Sequence, residues 1–386
     1  MPTGTSEALR RSNLSALLTL LVQDGPSSRA ILARRTGRNR STIGSLVSDL
    51  VAMGLVDELD PEPDGQVGRP SPVVALRPDV AAFAVNPEID ALRVTLVSLD
   101  GTFIDDRRRP FDHIPTAAEA VATSAELIAD CRAKAPGVRV VGVGGAIPGQ
   151  VRTADGVVRI APHLRWADEP FGESLAAAVG LPVWLANDAG LGALAEHDFG
   201  AGRGKGHLVY VNGGASGIGG GMVIGGKLLA GAHGYAGELG HARVSSAADQ
   251  DSAGIAGTLE AMVTRAELLD VLGLADADAD TLHAALLADR TARVRSVVGR
   301  QLGHLAFGLA ASVNVLNPQV IVLGGFLASL LAYDPDRLRA AVAKVTLGPS
   351  MERMEIVASQ LGSRLLPMGA AHLAFAPLIR EPVAVP

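Results

Sequence analysis

Residues 28–50 read SRAILARRTGRNRSTIGSLVSDL, and they decide the N-terminal architecture. Ser28 is placed to cap a short helix running to Arg35, because a serine hydroxyl satisfies a first-turn amide that has no helical partner. Thr36-Gly37 makes a tight turn. Asn39 or Ser41 can cap the next helix, on which Ile43, Leu46, Val47 and Leu50 share one face at helical spacing, and Gly54 closes it. Upstream, Leu14, Leu17, Leu18, Leu21 and Val22 repeat with the same period, and Gln23-Asp24-Gly25-Pro26 stops that helix. Downstream, β-rich stretches at 55–59 and 73–76 flank a Pro/Gly-rich loop. Helix, short helix, turn, helix and a two-stranded wing is the order of a winged helix-turn-helix.

Charge placement points the same way. Arg29, Arg34, Arg35, Arg38 and Arg40 lie within twelve residues that contain no acid. Arginines at the start of a recognition helix reach phosphates and base edges. The candidate DNA-binding residues are Arg29, Arg38, Asn39, Arg40, Ser41, Thr42 and Ser45. Arg69, in Gly68-Arg69-Pro70, is placed to enter a minor groove from the wing. The competing reading is a solvated basic hairpin that docks a protein; element order, turn and charge together favour double-stranded DNA. One such module per chain covers too few base pairs for specific binding, so a homodimer or a dimer of dimers is expected.

The whole chain has 386 residues, 48% hydrophobic and 19% charged, with a net charge of −6. That length needs more than one core, and the net charge confines any DNA-binding surface to a local patch. The single cysteine, Cys131, excludes an internal disulfide and any zinc site built from a cysteine cluster. No leader pattern and no run of about 20 apolar residues is present, so a cytoplasmic protein with no membrane partner is expected.

The stretch 60–72 is rich in Pro, Gly and acids, and it places a domain boundary near residue 80. Residues 1–80 form the DNA-binding domain and 81–386 an α/β domain in which β-like runs alternate with helices. Strands are read at 83–85, 94–99, 138–143, 183–185, 208–211 and 320–323.

An ordered series of motifs then carries a resemblance. It runs Ser28-Arg29-Ala30 with Thr36-Gly37, Gly68-Arg69-Pro70, Gly145-Ala146-Ile147-Pro148-Gly149, Ala161-Pro162-His163-Leu164-Arg165-Trp166, Asn187-Asp188-Ala189, and Gly217-Ile218-Gly219-Gly220-Gly221. It continues with Gly237-Glu238-Leu239-Gly240-His241, Gly257-Thr258-Leu259-Glu260, and Asn317-Pro318 before Gly324-Gly325. The chain resembles the repressor branch of the ROK family (repressors, open reading frames and sugar kinases) from about residue 7 onward. The resemblance implies an actin-like (ribonuclease-H-like) sensor. Its first lobe is expected at about 81–186 with the C-terminal helix packed back on it, and its second at about 187–365.

In kinases of that family five polar positions bind a hexose, and they match Asn187, Asp188, Glu238, His241 and Glu260. Amide, carboxylate and imidazole groups suit hydroxyls that both donate and accept. Two other family features are missing. The phosphate loop, Asp-x-Gly-Gly-Thr, falls on Asn86-Pro87-Glu88-Ile89-Asp90, without its glycines and with acids that repel phosphate. The zinc pattern Cys-x-Cys-Gly-x-x-Gly-Cys-x-Glu falls on 251–260, with Asp251, Ala253 and Thr258 at its cysteine positions. The sequence therefore leads to a sugar-sensing repressor with no catalytic residue, no cofactor and no metal. Two alternatives stand beside it: a sugar kinase carrying a DNA-binding appendage, and a regulator whose lobe only dimerises or docks a protein partner. A sugar held by both lobes would close them and change the spacing of the DNA-binding heads.

Overall fold

In the computed structural model, which describes residues 3–60, 71–383 and 385, the Ser28 hydroxyl accepts the Ile31 amide at 3.3 Å. That cap starts α2 (Arg29–Thr36), and Gly37 ends it with a left-handed φ of 66°. Asn39, rather than Ser41, caps α3 (Arg40–Ala52): its Oδ1 accepts the Thr42 amide at 2.8 Å. The long helix α1 (Thr3–Asp24) precedes them. Strands β1 (Ser27–Ser28), β2 (Val56–Leu59) and β3 (Val73–Leu76) form an antiparallel sheet in the order β1-β3-β2. The buried face of α3 is the apolar set read from the sequence, and it shares its core with Leu17, Leu18, Leu21, Leu32, Leu55 and Val74. These elements make a helix-turn-helix followed by a wing.

The rest of the chain is built twice on one plan. In the first half, β4 (Val80–Pro87), β5 (Ala91–Ser98) and β6 (Phe103–Pro110) run antiparallel. After helix α4 (Ala117–Lys134), β7 (Arg139–Ile147) returns parallel to β4. A small sheet of β8 (Gln150–Arg152), β9 (Val157–Ala161) and β10 (Trp166–Glu169) follows, then α5 (Phe171–Val179) and β11 (Val183–Asn187), giving a sheet of order β11-β7-β4-β5-β6. In the second half, α6 (Asp188–Phe199) leads to β12 (His207–Gly214), β13 (Gly217–Ile224), β14 (Lys227–Leu228), β15 (Val320–Gly325) and β16 (Glu355–Ala358), in the order β14-β13-β12-β15-β16. Each sheet thus has an antiparallel meander on one side of its first strand and crossover strands on the other, which makes the domain actin-like. The crossover connections bury both sheet faces, and β7 and β15 accordingly read as near-continuous apolar runs.

The chain divides into two compact units. One comprises Met1–Ala146, Pro170–Leu185 and Ala370–Pro386; it holds the helix-turn-helix, the first sheet and the end of the C-terminal helix Leu365–Arg380. Gly144 of β7 lies so close to that helix that a Cβ would sit 1.8 Å from the Ala370 carbonyl oxygen. The other unit comprises Ile147–Glu169 and Ala186–Gly369. The small sheet β8–β10, which the sequence reading assigned to the first lobe, therefore groups with the second. Strand β6, an exposed edge of charged residues, was not legible as a strand at all. Among the described residues no helix is long and apolar enough to cross a membrane.

Candidate functional site

A cavity of about 430 Å³ lies within the second unit. Its walls include Pro148 and Gly149 after β7, Ile160 and His163 of the small sheet and its loop, Asn187 and Asp188 at the start of α6, and Asn212, Ser216 and Gly219 of the β12–β13 hairpin. Glu238, His241 and Glu260 complete it, so all five expected polar residues line one cavity. Every residue lining the cavity belongs to one compact unit, including those of 147–169 that the sequence reading placed in the first lobe.

The five are not equally available. Asn187 caps α6: its Oδ1 accepts the Gly190 amide at 3.0 Å, and its Nδ2 donates to the Gly149 carbonyl at 3.1 Å. Asp188 opens α6, and its Oδ1 accepts its neighbour's amide (Ala189) at 2.7 Å. Burial, reinforced by the nearby Glu238 charge, pushes the Asp188 carboxyl up to about 6 despite that hydrogen bond. Glu260 sits in α7 (Leu259–Met262) and is heavily engaged. It accepts from the Ile218 amide at 2.8 Å, the Ser252 amide at 2.9 Å and the Ser252 hydroxyl at 2.6 Å. It pins the hairpin turn, where Gly217 has a φ of 127° and a Cβ would meet the Glu260 carboxylate at 2.0 Å.

Glu238 precedes and His241 ends a 3-10 turn (Leu239–His241) that brings the Glu238 Oε2 to 3.9 Å from the His241 Nε2. No described residue donates a hydrogen bond to Glu238. Among the five, the open hydrogen-bonding capacity is therefore the Glu238 carboxylate, the outer face of Asp188 and the His241 Nε2. Such a set accepts from, and donates to, the hydroxyls of a polyol.

The His241 Nδ1 meets the Asp251 Oδ2 at 2.8 Å. His241, Asp251 and Glu260 place ligand-type atoms within 4.8 Å of one another, which invites comparison with the zinc that the family resemblance implies. The donors do not fit it. No thiolate is present, and both carboxylates are already occupied by amide and hydroxyl donors.

The turn that replaces the phosphate loop is occupied too. Arg108 donates to Glu88 at 3.0 Å and to both oxygens of Asp90 at 3.0 Å. The two acids that would repel a nucleotide are held by a guanidinium from β6, and the turn offers no glycine amides.

On the helix-turn-helix, Arg38, Asn39, Arg40, Ser41 and Ser45 are exposed and Thr42 is half-buried. Asn39 and Thr42 are partly used in the cap, and the Ser41 hydroxyl also donates to Asn39 at 2.8 Å. Ser45 accepts from Arg10 at 3.2 Å. Arg29 forms an ion pair with Glu58 of β2, so it ties helix to wing. Arg69 lies outside the described residues. The sequence reading did not single out Gly44 and Ser48 on α3. They join Ser41 and Ser45 at i, i+3, i+4 and i+7 on one small, polar stripe, a signal the helical period contained.

Comparison with known proteins completes the picture. A model described as the ROK family matches residues 87–376. The chain is 25% identical to a xylose repressor of Bacillus subtilis over 373 residues, which are 95% of either chain. It is 30% identical over 308 residues to a glucokinase of Streptomyces coelicolor, covering 74% of this chain and 93% of the glucokinase. Its fold matches the crystal structure of a ROK family transcriptional regulator, a homolog of the E. coli MLC protein, with a TM-score of 0.77 at 22% identity over 97% of this chain and 98% of that one.

Proposed function

The chain belongs to the ROK family, and on that premise we propose that it is a DNA-binding transcriptional repressor whose second unit senses a sugar. The observation that carries this reading is the union, in one chain, of an exposed basic and small-polar recognition helix with a polyol-sized cavity that keeps the Glu238 carboxylate and the His241 Nε2 open to a ligand. Recognition uses Arg38, Arg40, Ser41, Ser45 and the stripe through Gly44 and Ser48. Effector binding uses Asp188, Glu238 and His241, with Asn187 and Glu260 as the frame. Arg29 supports the wing, and Arg69 remains a candidate for the minor groove.

Two heads on paired half-sites require a homodimer or a dimer of dimers, acting where the DNA is, in the cytoplasm. The relatives' names suggest an aldose such as xylose or glucose as effector. The protein is not a kinase on this reading, since the turn at 86–90 carries two acids and offers no glycine amides to a phosphate. The kinase reading has one feature in its favour: burial raises the Asp188 carboxyl towards neutral pH, where the ionised form is a better general base. Gel shifts with genomic operator fragments, repeated with D-xylose, D-glucose and their derivatives, test the proposal. Sequence-specific binding that a sugar abolishes supports it; sugar-dependent ATP turnover or indifference to every DNA fragment overturns it.

A further inference from the structure

We propose that Asp251 is a positioning residue that does, without metal, the work of a bound ion in the cavity wall. Its side chain is fully buried, and a buried carboxylate is tolerated only when its lone pairs are satisfied. Four donors converge on it. Oδ2 faces the His241 Nδ1 at 2.8 Å and accepts from the Thr258 hydroxyl at 2.9 Å; Oδ1 accepts the Ala253 and Ile255 amides, both at 2.9 Å. An ionised carboxylate offers about four acceptor sites, so none is left for a cation. Glu260, the other carboxylate of the cluster, is held by three donors of its own.

The arrangement has a direct consequence for His241. Asp251 only accepts, so the His241 Nδ1 carries a hydrogen and the ring is held edge-on to the carboxylate. Nε2 is thereby turned towards Glu238 and the cavity. One carboxylate closes the loop 251–258 through its own amides and also sets the tautomer and aim of the imidazole that faces the ligand. The ligand arm of the test below rests on reading this cavity as the effector site; the other arms do not.

The full-length protein, purified from zinc-supplemented medium, should hold far less than one zinc per chain. Its melting temperature should not move when 1,10-phenanthroline is added. With 15N-labelled histidine at pH 9, His241 should carry its hydrogen on Nδ1. In Asp251→Asn the amide nitrogen turns towards the ring, so the hydrogen should move to Nε2, a change that a merely space-filling role would not produce. Titration with D-xylose and D-glucose should show any wild-type affinity reduced at least tenfold in Asp251→Asn.

One tightly held zinc per chain whose removal lowers the melting temperature overturns the proposal. So does a wild-type His241 with a bare Nδ1, a test that stands even if Asp251→Asn does not fold. An unchanged tautomer in the variant overturns it as well. If neither sugar binds the wild type while the metal and tautomer results hold, the brace stands and the sugar reading of the cavity fails.

Discussion

The Arg139 guanidinium donates to the carbonyl of Gly54, the residue that turns the chain out of helix α3. Arg139 is the first residue of β7. The same side chain reaches Asp79 at 3.3 Å and the Val385 carbonyl at 3.3 Å, while its backbone amide donates to the Asp79 carbonyl at 2.7 Å. The Arg77 amide donates to the Leu55 carbonyl at 3.0 Å. The helix-turn-helix is therefore fastened to the sheet behind it by a half-buried cation, not by the chain alone.

Arg139→Ala should cost about 1.5–3 kcal/mol, the range for hydrogen bonds that involve a charged group. The loss should fall on the head, so limited proteolysis should cut near residue 80 sooner than in the wild type. Gly54→Ala should be more damaging, since φ is +68° and a Cβ would lie 2.7 Å from the Arg139 guanidinium. Equal proteolysis of Arg139→Ala and wild type would mean that the fastening lies elsewhere.

The arginines of the head should separate into two classes. Arg38→Ala with Arg40→Ala should weaken operator binding and flatten its salt dependence by about two counterions' worth of slope, with the melting temperature unchanged. Arg29→Ala should lower the melting temperature instead, because it breaks the pair with Glu58, and Glu58→Ala should reproduce the effect. Gel shifts across a salt series and thermal scans read both. An Arg29→Ala variant that melts normally but loses affinity would return Arg29 to the DNA surface.

Sugar-dependent ADP release should stay at background in the wild type and in Arg108→Ala alike. Freeing Glu88 and Asp90 exposes two acids and restores no phosphate-binding amides. A coupled assay with D-glucose or D-xylose settles it, and measurable turnover in either protein would favour the kinase reading.

How much of this was legible follows from where each signal resides. The head was readable because its signals are local: Ser28 caps three residues ahead, and the apolar face of α3 repeats within thirteen residues. The cavity residues were readable from motif order, though not their division of labour. Nothing in the local sequence says that Glu260 is consumed by Ile218 and Ser252, or that Asn187, beyond its local cap on Gly190, also donates to Gly149, because those partners are set by the tertiary fold. Asp251 looked like a lost metal ligand. Its role appears only when the loop curls so that two of its own amides and Thr258 face the same carboxylate. The assignment of β8–β10 to the first lobe followed chain order, while packing placed them with the second unit.

The last prediction turns on Asp188, whose folded carboxyl stands at about 6 against an ordinary 3.8. A raised carboxyl means that the folded state binds the proton more tightly than the unfolded chain. Its stabilising contribution is full below about 3.8 and is lost as pH rises through about 6. Above that, the ionised group burdens the free protein. Asp188→Asn should therefore melt higher than the wild type at pH 8, with the gap closing as pH falls from 7 towards 4. A sugar hydroxyl that donates to the ionised Asp188 works against this cost, so it binds the charged form better. Wild-type affinity for D-xylose or D-glucose should then fall by up to about tenfold per pH unit below 6. In Asp188→Asn it should be weaker and flat across the same range. Glu238→Ala should be weaker still, because it removes the cavity's unengaged carboxylate, yet it should keep a pH dependence that Asp188→Asn lacks. Thermal scans and calorimetry at pH 5, 6, 7 and 8 give both readings on the same samples. If the melting gap behaves as described but wild-type affinity is level from pH 5 to 8, Asp188 is a buried helix-start residue that no ligand touches, and the sensor chemistry belongs to Glu238 and His241 alone.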